Sequence, residues 1–286
     1  MEVSLICRNR FYPVFLLIII LSSQGIALPQ GLQPYPKQSS SKSLASKVGS
    51  DLLYIFSAPS RLSPQGGLKL LVLTGVTAGF VTILDKNIDD DFIEGDDLYV
   101  KPGIGLAKVG DVYDRISSKY VLAGLSASML TGGLIFKDQK LLETTRLMVE
   151  SYLISGAIAQ LGKRVFGRAR PYTGEGPSKF EPFKFRGARD RRSFPSGHAT
   201  SAFSMMTVLA KQYDQWWIKI PAYTVAISVA MQRMDSRNHW GADVIVGGAI
   251  GYSVGSALVN RYKQQSNRVA MNPYIFGNRV GIMFIF

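Results

Sequence analysis

The sequence predicts an all-α protein, a bundle of about six helices. Two observations point there. From residue 51 onward, apolar stretches of helical length alternate with polar loops. Strand-like alternation is nearly absent until the C-terminus. Helices of this kind bury their apolar faces against one another. With 286 residues, 47% of them apolar, the chain has ample material for a core and room for one large domain or two small ones.

The elements follow in order. Residues 1–27 have the form of an export signal: Arg8 and Arg10, an unbroken apolar run over 14–21, then Gly25-Ile26-Ala27 as a small-residue cleavage site. An uncleaved anchor is the alternative. Cys7, the single cysteine, lies inside this segment. A cleaved product therefore has no thiol, which excludes disulfides, thiolate metal sites and a cysteine nucleophile. Residues 28–50 are rich in Ser, Lys, Pro and Gln and are expected to be a flexible linker.

A helical domain is expected over 51–265. Its helix candidates are residues 68–84, 120–136, 141–162, 199–213, 218–232 and 242–259. Most fall short of the roughly 20 apolar residues that a bilayer-spanning helix needs, or carry a charge such as Glu150. Gly247, Gly251 and Gly255 recur on one face of the last candidate. That seam serves close packing in a membrane or a tight crossing in a soluble core, and both readings stand.

Residues 85–97 gather seven acids, and Asp85, Asn87, Asp89 and Asp91 have some of the spacing of a calcium loop. The sixth position is Asp90 where glycine is needed, and the twelfth is Asp96 where glutamate is needed. A solvated acidic loop is expected. Residues 266–286 read as a strand or short β-hairpin, with Gly277-Asn278 as the turn and Val280, Ile282, Phe284 and Phe286 in alternation.

The formal net charge is +13. Such an excess favours anionic partners: phosphate groups, anionic membrane surfaces or nucleic acid. Nucleic acid is not expected, since neither long basic runs nor a recognised nucleic-acid motif occurs.

Both histidines of the chain sit in motifs suited to phosphoryl chemistry. His198 closes Pro195-Ser196-Gly197-His198, just ahead of an apolar helical run. The motif thus stands at a helix N-terminus, where free N–H groups and the helix dipole attract anions. Ser196 can cap this helix, and Gly197 lets an anion approach the backbone. His239 and Asp243 are spaced i, i+4, so on a helix they share a face. A carboxylate on one imidazole nitrogen fixes the tautomer and frees the other nitrogen to attack. Lys163, Arg170 and Arg233 supply fixed positive charge, and Pro171 ends a helix at Arg170. Taken singly, each motif also fits a structural histidine or a solvated basic face.

The ordered set Lys163-x6-Arg170-Pro171, Pro195-Ser196-Gly197-His198 and Arg233-x5-His239-x3-Asp243 resembles the signature of the type 2 phosphatidic acid phosphatases. Those enzymes share a superfamily with class A acid phosphatases and vanadium haloperoxidases. The resemblance runs from about residue 120 to 262, with the signature over 163–243. It implies a six-helix core and metal-independent, cofactor-independent hydrolysis of a phosphomonoester or diphosphate through a phosphohistidine. It further implies His239 as nucleophile, Asp243 as its orienting partner and His198 as general acid. Lys163, Arg170, Ser196, Gly197 and Arg233 would bind the phosphate. Gln232 departs from the family pattern, which usually has Ser there.

The segment 172–193 interleaves Lys179, Lys184, Arg186, Arg189, Arg191 and Arg192 with Phe180, Phe183 and Phe185. It suits a lid or headgroup-binding loop for an amphipathic phosphate, or equally a solvated loop. The expected function is an exported, membrane-associated phosphatase of the cell envelope or periplasm, acting on a lipid or isoprenoid phosphate. A broad-specificity acid phosphatase, a vanadium haloperoxidase and a non-catalytic phospholipid-binding protein are the alternatives.

Overall fold

A computed structural model describes residues 43–95, 101–183, 189–266, 270–276 and 279–285. The expected export signal lies outside the described residues. The described core is helical throughout. Its helices are α1 (Leu44–Phe56), α2 (Pro64–Glu94), α3 (Lys101–Ile116), α4 (Ser118–Ile135), α5 (Gln139–Phe166), α6 (Gly197–Gln212), α7 (Trp216–Asp235) and α8 (Gly241–Ser266). The expectation of six helices is therefore corrected to eight among the described residues.

The two unforeseen helices have identifiable causes. α1 begins inside the expected linker, where Ser43 caps it by accepting from Ser46 N. α3 contains Gly103, Gly105 and Gly110, which depress intrinsic helix propensity. Tertiary packing overrides that deficit: Gly103, Ala107 and Gly110 are buried at helical spacing.

The acidic segment is likewise corrected. Residues 85–94 are the last turns of α2, not a loop, and Asp85 and Asp89 are buried. A π turn over Phe80–Leu84 directly precedes them. Such turns insert an extra residue into the helical register and re-aim the side chains beyond them. Here Asp85 Oδ1 accepts from the backbone N–H of Ala242, at 3.0 Å, in the first turn of α8.

α6 is the central helix, apolar or small and buried on nearly every face. It packs against α5, α7 and α8, while α3 lies on α7. The glycine seam of α8 faces α6. A Cβ at Gly251 would lie 2.3 Å from Thr200 O, and one at Gly247 would lie 2.5 Å from Ser196 O. Only glycine permits so close a backbone approach. The crossing sets the start of α8 directly against the start of α6.

α2 and α8 are long and apolar enough to cross a membrane. They differ in surroundings: 6% of the apolar window of α2 is buried in the bundle, against 61% for α8. α2 accordingly exposes Leu68, Leu71 and Ile83. Beyond the helices, Ala270–Phe276 and Arg279–Ile285 form an antiparallel two-stranded sheet, with Ala270 opposite Ile285 and Phe276 opposite Arg279. The C-terminal hairpin reading agrees with that ladder.

Candidate active site

Three chain segments meet at one end of the bundle. α5 delivers Lys163 in its last turn and stops at Gly167, whose φ of 58° closes the helix. The helix thus ends ahead of Arg170 and Pro171, not at them as expected, and the loop after it carries Arg168 and Arg170. α6 starts after Ser196, whose hydroxyl accepts from Ala199 N at 3.4 Å as the N-cap. α7 carries Arg233 in its last turn, and the Arg233 carbonyl accepts from His239 N at 3.0 Å. α8 begins two residues after His239 and brings Asp243 in its first turn.

Backbone contacts bind the segments together. Ser196 N donates to Asp243 O at 2.9 Å. Lys163 Nζ donates to Arg192 O at 2.7 Å, and its Cε lies 3.6 Å from where a Gly197 Cβ would stand. Arg170 donates to the side chain of Asn238, the neighbour of His239, at 2.8 Å. All eight sequence-derived residues, Lys163, Arg170, Ser196, Gly197, His198, Arg233, His239 and Asp243, thus gather at one site.

Asp243 is fully buried and densely held. Arg168 Nη1 donates to Oδ1 at 2.7 Å. Ser193 Oγ and Trp240 N donate to Oδ2, the latter at 2.9 Å. His239 Nδ1 stands 3.4 Å from the same Oδ2 and is buried with no other hydrogen-bond partner among the described residues. That distance exceeds an ordinary N–H···O bond. Catalytic contacts are often loose until substrate binds. The pairing turns Nδ1 toward the carboxylate and leaves Nε2 as the free nitrogen.

The histidines lie among cations. Burial, then Lys163, pushes the pKa of His239 down to about 3, so the ring is neutral near pH 7. Burial and Arg233 push His198 down to about 4. Burial and Arg170 lower Lys163 to about 7. An anion entering this site meets an excess of positive charge and would oppose these downward shifts.

Residues that the motif reading missed complete the site. Arg168 is fully buried and bridges Asp243 to Asp85, donating from Nη2 to Asp85 Oδ2 at 2.7 Å. Its Nε donates to Pro177 O at 2.8 Å. Asp114, on α3, pairs with Arg233 at 2.7 Å and lies 3.5 Å from His198 Nε2. Gln232, the departure from the family pattern, accepts from Arg233 Nε at 2.6 Å and so braces that guanidinium. Asp85 and Asp89 offered one signal in advance: they are spaced i, i+4, on one helix face.

In the basic segment, Lys184 and Arg186 lie outside the described residues. Arg191 pairs with Glu175 at 2.7 Å and with Glu181 at 3.3 Å. Lys179 stands 3.9 Å from Glu181.

Residues 145–267 match the family model "PAP2 superfamily". That segment is similar to the type 2 phosphatidic acid phosphatase superfamily. This PAP2 segment holds all three motifs, while Asp85 and Asp114 lie before it. Curated relatives include the lipid A 1-phosphatase of Porphyromonas gingivalis, 26% identical over 179 residues, and that of Rhizobium etli, 34% identical over 111 residues. The first alignment covers 61% of this chain and 35% of the relative; the second covers 37% and 46%. The chain thus spans less than half the length of either relative. Among solved structures, a transmembrane PAP2 type phosphatidylglycerolphosphate phosphatase from Bacillus subtilis aligns at 17% identity and a TM-score of 0.42, covering 78% of this chain and 98% of that one.

Proposed function

We propose that this PAP2 protein is a metal-independent phosphatase acting on a lipid phosphomonoester or diphosphate through a phosphohistidine. One observation carries the reading. A neutral, buried His239 faces the firmly held carboxylate of Asp243, beside Lys163, Arg170 and Arg233. Simple anion binding needs the cations alone; the histidine–carboxylate pair adds a nucleophile.

The steps follow from the placement. Lys163, Arg170 and Arg233 receive the phosphate oxygens, with the N–H groups at the start of α6 beside them. His239 Nε2 attacks phosphorus, and the bond to the leaving oxygen breaks. That oxygen takes a proton from His198. Water then attacks the phosphohistidine, giving its proton to His198 and releasing inorganic phosphate. Asp243 stabilises the positive charge that develops on His239.

The lipid character of the substrate is supported by the exposed apolar face of α2, by the net charge of +13, and by the names of the curated relatives. The 1-phosphate of lipid A is therefore the first substrate to test. Membrane association through α2 fits the same surface. The signal-like pattern of residues 1–27, Arg8 and Arg10 ahead of an apolar run, supports export to the cell envelope.

The test is phosphate release from lipid A and from a short-chain phosphatidic acid with EDTA present. Activity that persists in EDTA and is lost in His239→Ala is the expected result. Activity that requires added metal would overturn the reading.

A further inference from the structure

The structure places one carboxylate where the motifs have none. Asp114 lies on α3, outside the three motifs and before the matched segment. Its Oδ2 accepts from Arg233 Nη2 at 2.7 Å, and its Oδ1 stands 3.5 Å from His198 Nε2.

Packing on both sides fixes that position. One turn earlier, Gly110 lies so close to α7 that a Cβ would be 2.3 Å from Ser228 O. The adjacent Tyr113 hydroxyl is 3.0 Å from Ser201 Oγ, and Ser201 in turn donates to His198 O at 3.0 Å. α3 is therefore clamped to the helix carrying Arg233 and to the turn carrying His198.

The charges facing His198 are unbalanced. Arg233 comes from α7, Lys163 from α5, Arg170 from the loop after α5, and Asp114 from α3. The cations oppose protonation of the ring; Asp114 favours it. A general acid must carry its proton when the leaving oxygen departs.

We propose that Asp114 is a positioning residue for proton donation, which rests on the phosphatase reading. Its carboxylate offsets part of the cations' opposition to a proton on His198 Nε2 and occupies Arg233 until a phosphate arrives. At 3.5 Å the contact to His198 is electrostatic rather than a formed hydrogen bond, so the proton stays free for the leaving oxygen. Arg233 then exchanges the carboxylate for a phosphate oxygen.

The test uses the full-length protein in detergent micelles with ring-labelled histidine. Two histidines give two titrating signals, assigned through His198→Gln and His239→Gln. Asp114→Asn should lower the His198 midpoint by about one pH unit, the scale of losing one nearby opposite charge. It should leave His239 in place, and Asp114→Glu should restore most of the shift. An unmoved His198 signal would overturn the proposal, whatever the activity.

A kinetic arm separates positioning from mere structure. An alkyl phosphate has a poor leaving group and needs the acid; an aryl phosphate needs it far less. Asp114→Asn should reduce kcat on the alkyl substrate at least about tenfold more than on the aryl one, within the usual span of acid catalysis. Equal losses would make Asp114 structural. Wild-type protein that hydrolyses neither would sink the phosphatase reading instead, and the histidine titration would still decide the Asp114 contact.

Discussion

Arg168 donates to Asp243 at 2.7 Å with both side chains fully buried, and with its other arm it binds the equally buried Asp85. One cation thus holds two carboxylates, one from α2 and one from the His239–Asp243 pair. Removing it leaves two buried anions facing each other. Arg168→Met should destabilise the fold by about 3–5 kcal/mol, the usual scale for breaking a buried ion pair. Adding Asp85→Leu should recover part of that stability without restoring activity, because Asp243 still lacks its partner. Denaturant melts of the singles and the double form the cycle that checks this; strictly additive losses would show that the two residues act independently.

Asp243 should matter more to rate than to binding. Asp243→Asn keeps the shape but surrenders the negative charge beside His239. A drop in kcat of about 10⁴ is the scale seen when such an orienting carboxylate is lost. KM should change little. A rate within tenfold of wild type would mean that His239 works without this carboxylate.

The approach of α8 to α6 predicts a packing effect at a distance from any charge. Gly251→Ala puts a methyl group 2.3 Å from Thr200 O, so one helix must shift. Overpacking of this kind costs about 1–3 kcal/mol. The same shift moves Asp243 and Ser196 relative to each other, because Ser196 N donates to Asp243 O. Thermal stability and kcat should fall together, and a fully active, fully stable variant would contradict the packing argument.

Much of this site was legible because its chemistry is local. Ser196 caps α6 and His239 precedes α8 as short-range rules require, and six of the eight helices follow from their apolar stretches. What escaped was tertiary. Asp85 and Asp89 look like solvent-seeking acids until Arg168 and Arg237, far along the chain, are brought against them. α3 escaped because its buried face is built mostly from small residues, Gly103, Ala107 and Gly110, with Tyr113 as its one large buried side chain. Asp114 went unseen with it.

The pH dependence has a definite sign. Burial and Arg170 push Lys163 down to about 7, so it loses its charge as pH rises through that value. A phosphate ligand without charge binds its anion poorly. kcat/KM, which reports the free enzyme, should decline above about pH 7. In Lys163→Met the plateau should be lower and this limb absent. The same midpoint in both proteins would assign the limb to another group.

The central claim is that His239 carries the phosphoryl group, and trapping tests it most directly. Protein mixed with a rapidly hydrolysed aryl phosphate is quenched in alkali, which preserves phosphohistidine, and its peptides are mapped by mass spectrometry. The account predicts a phosphoryl adduct on His239 in the wild type and in His198→Ala, where slowed water attack should raise its yield, and none in His239→Ala. An adduct on another residue, or hydrolysis by His239→Ala within about tenfold of wild type, would contradict it.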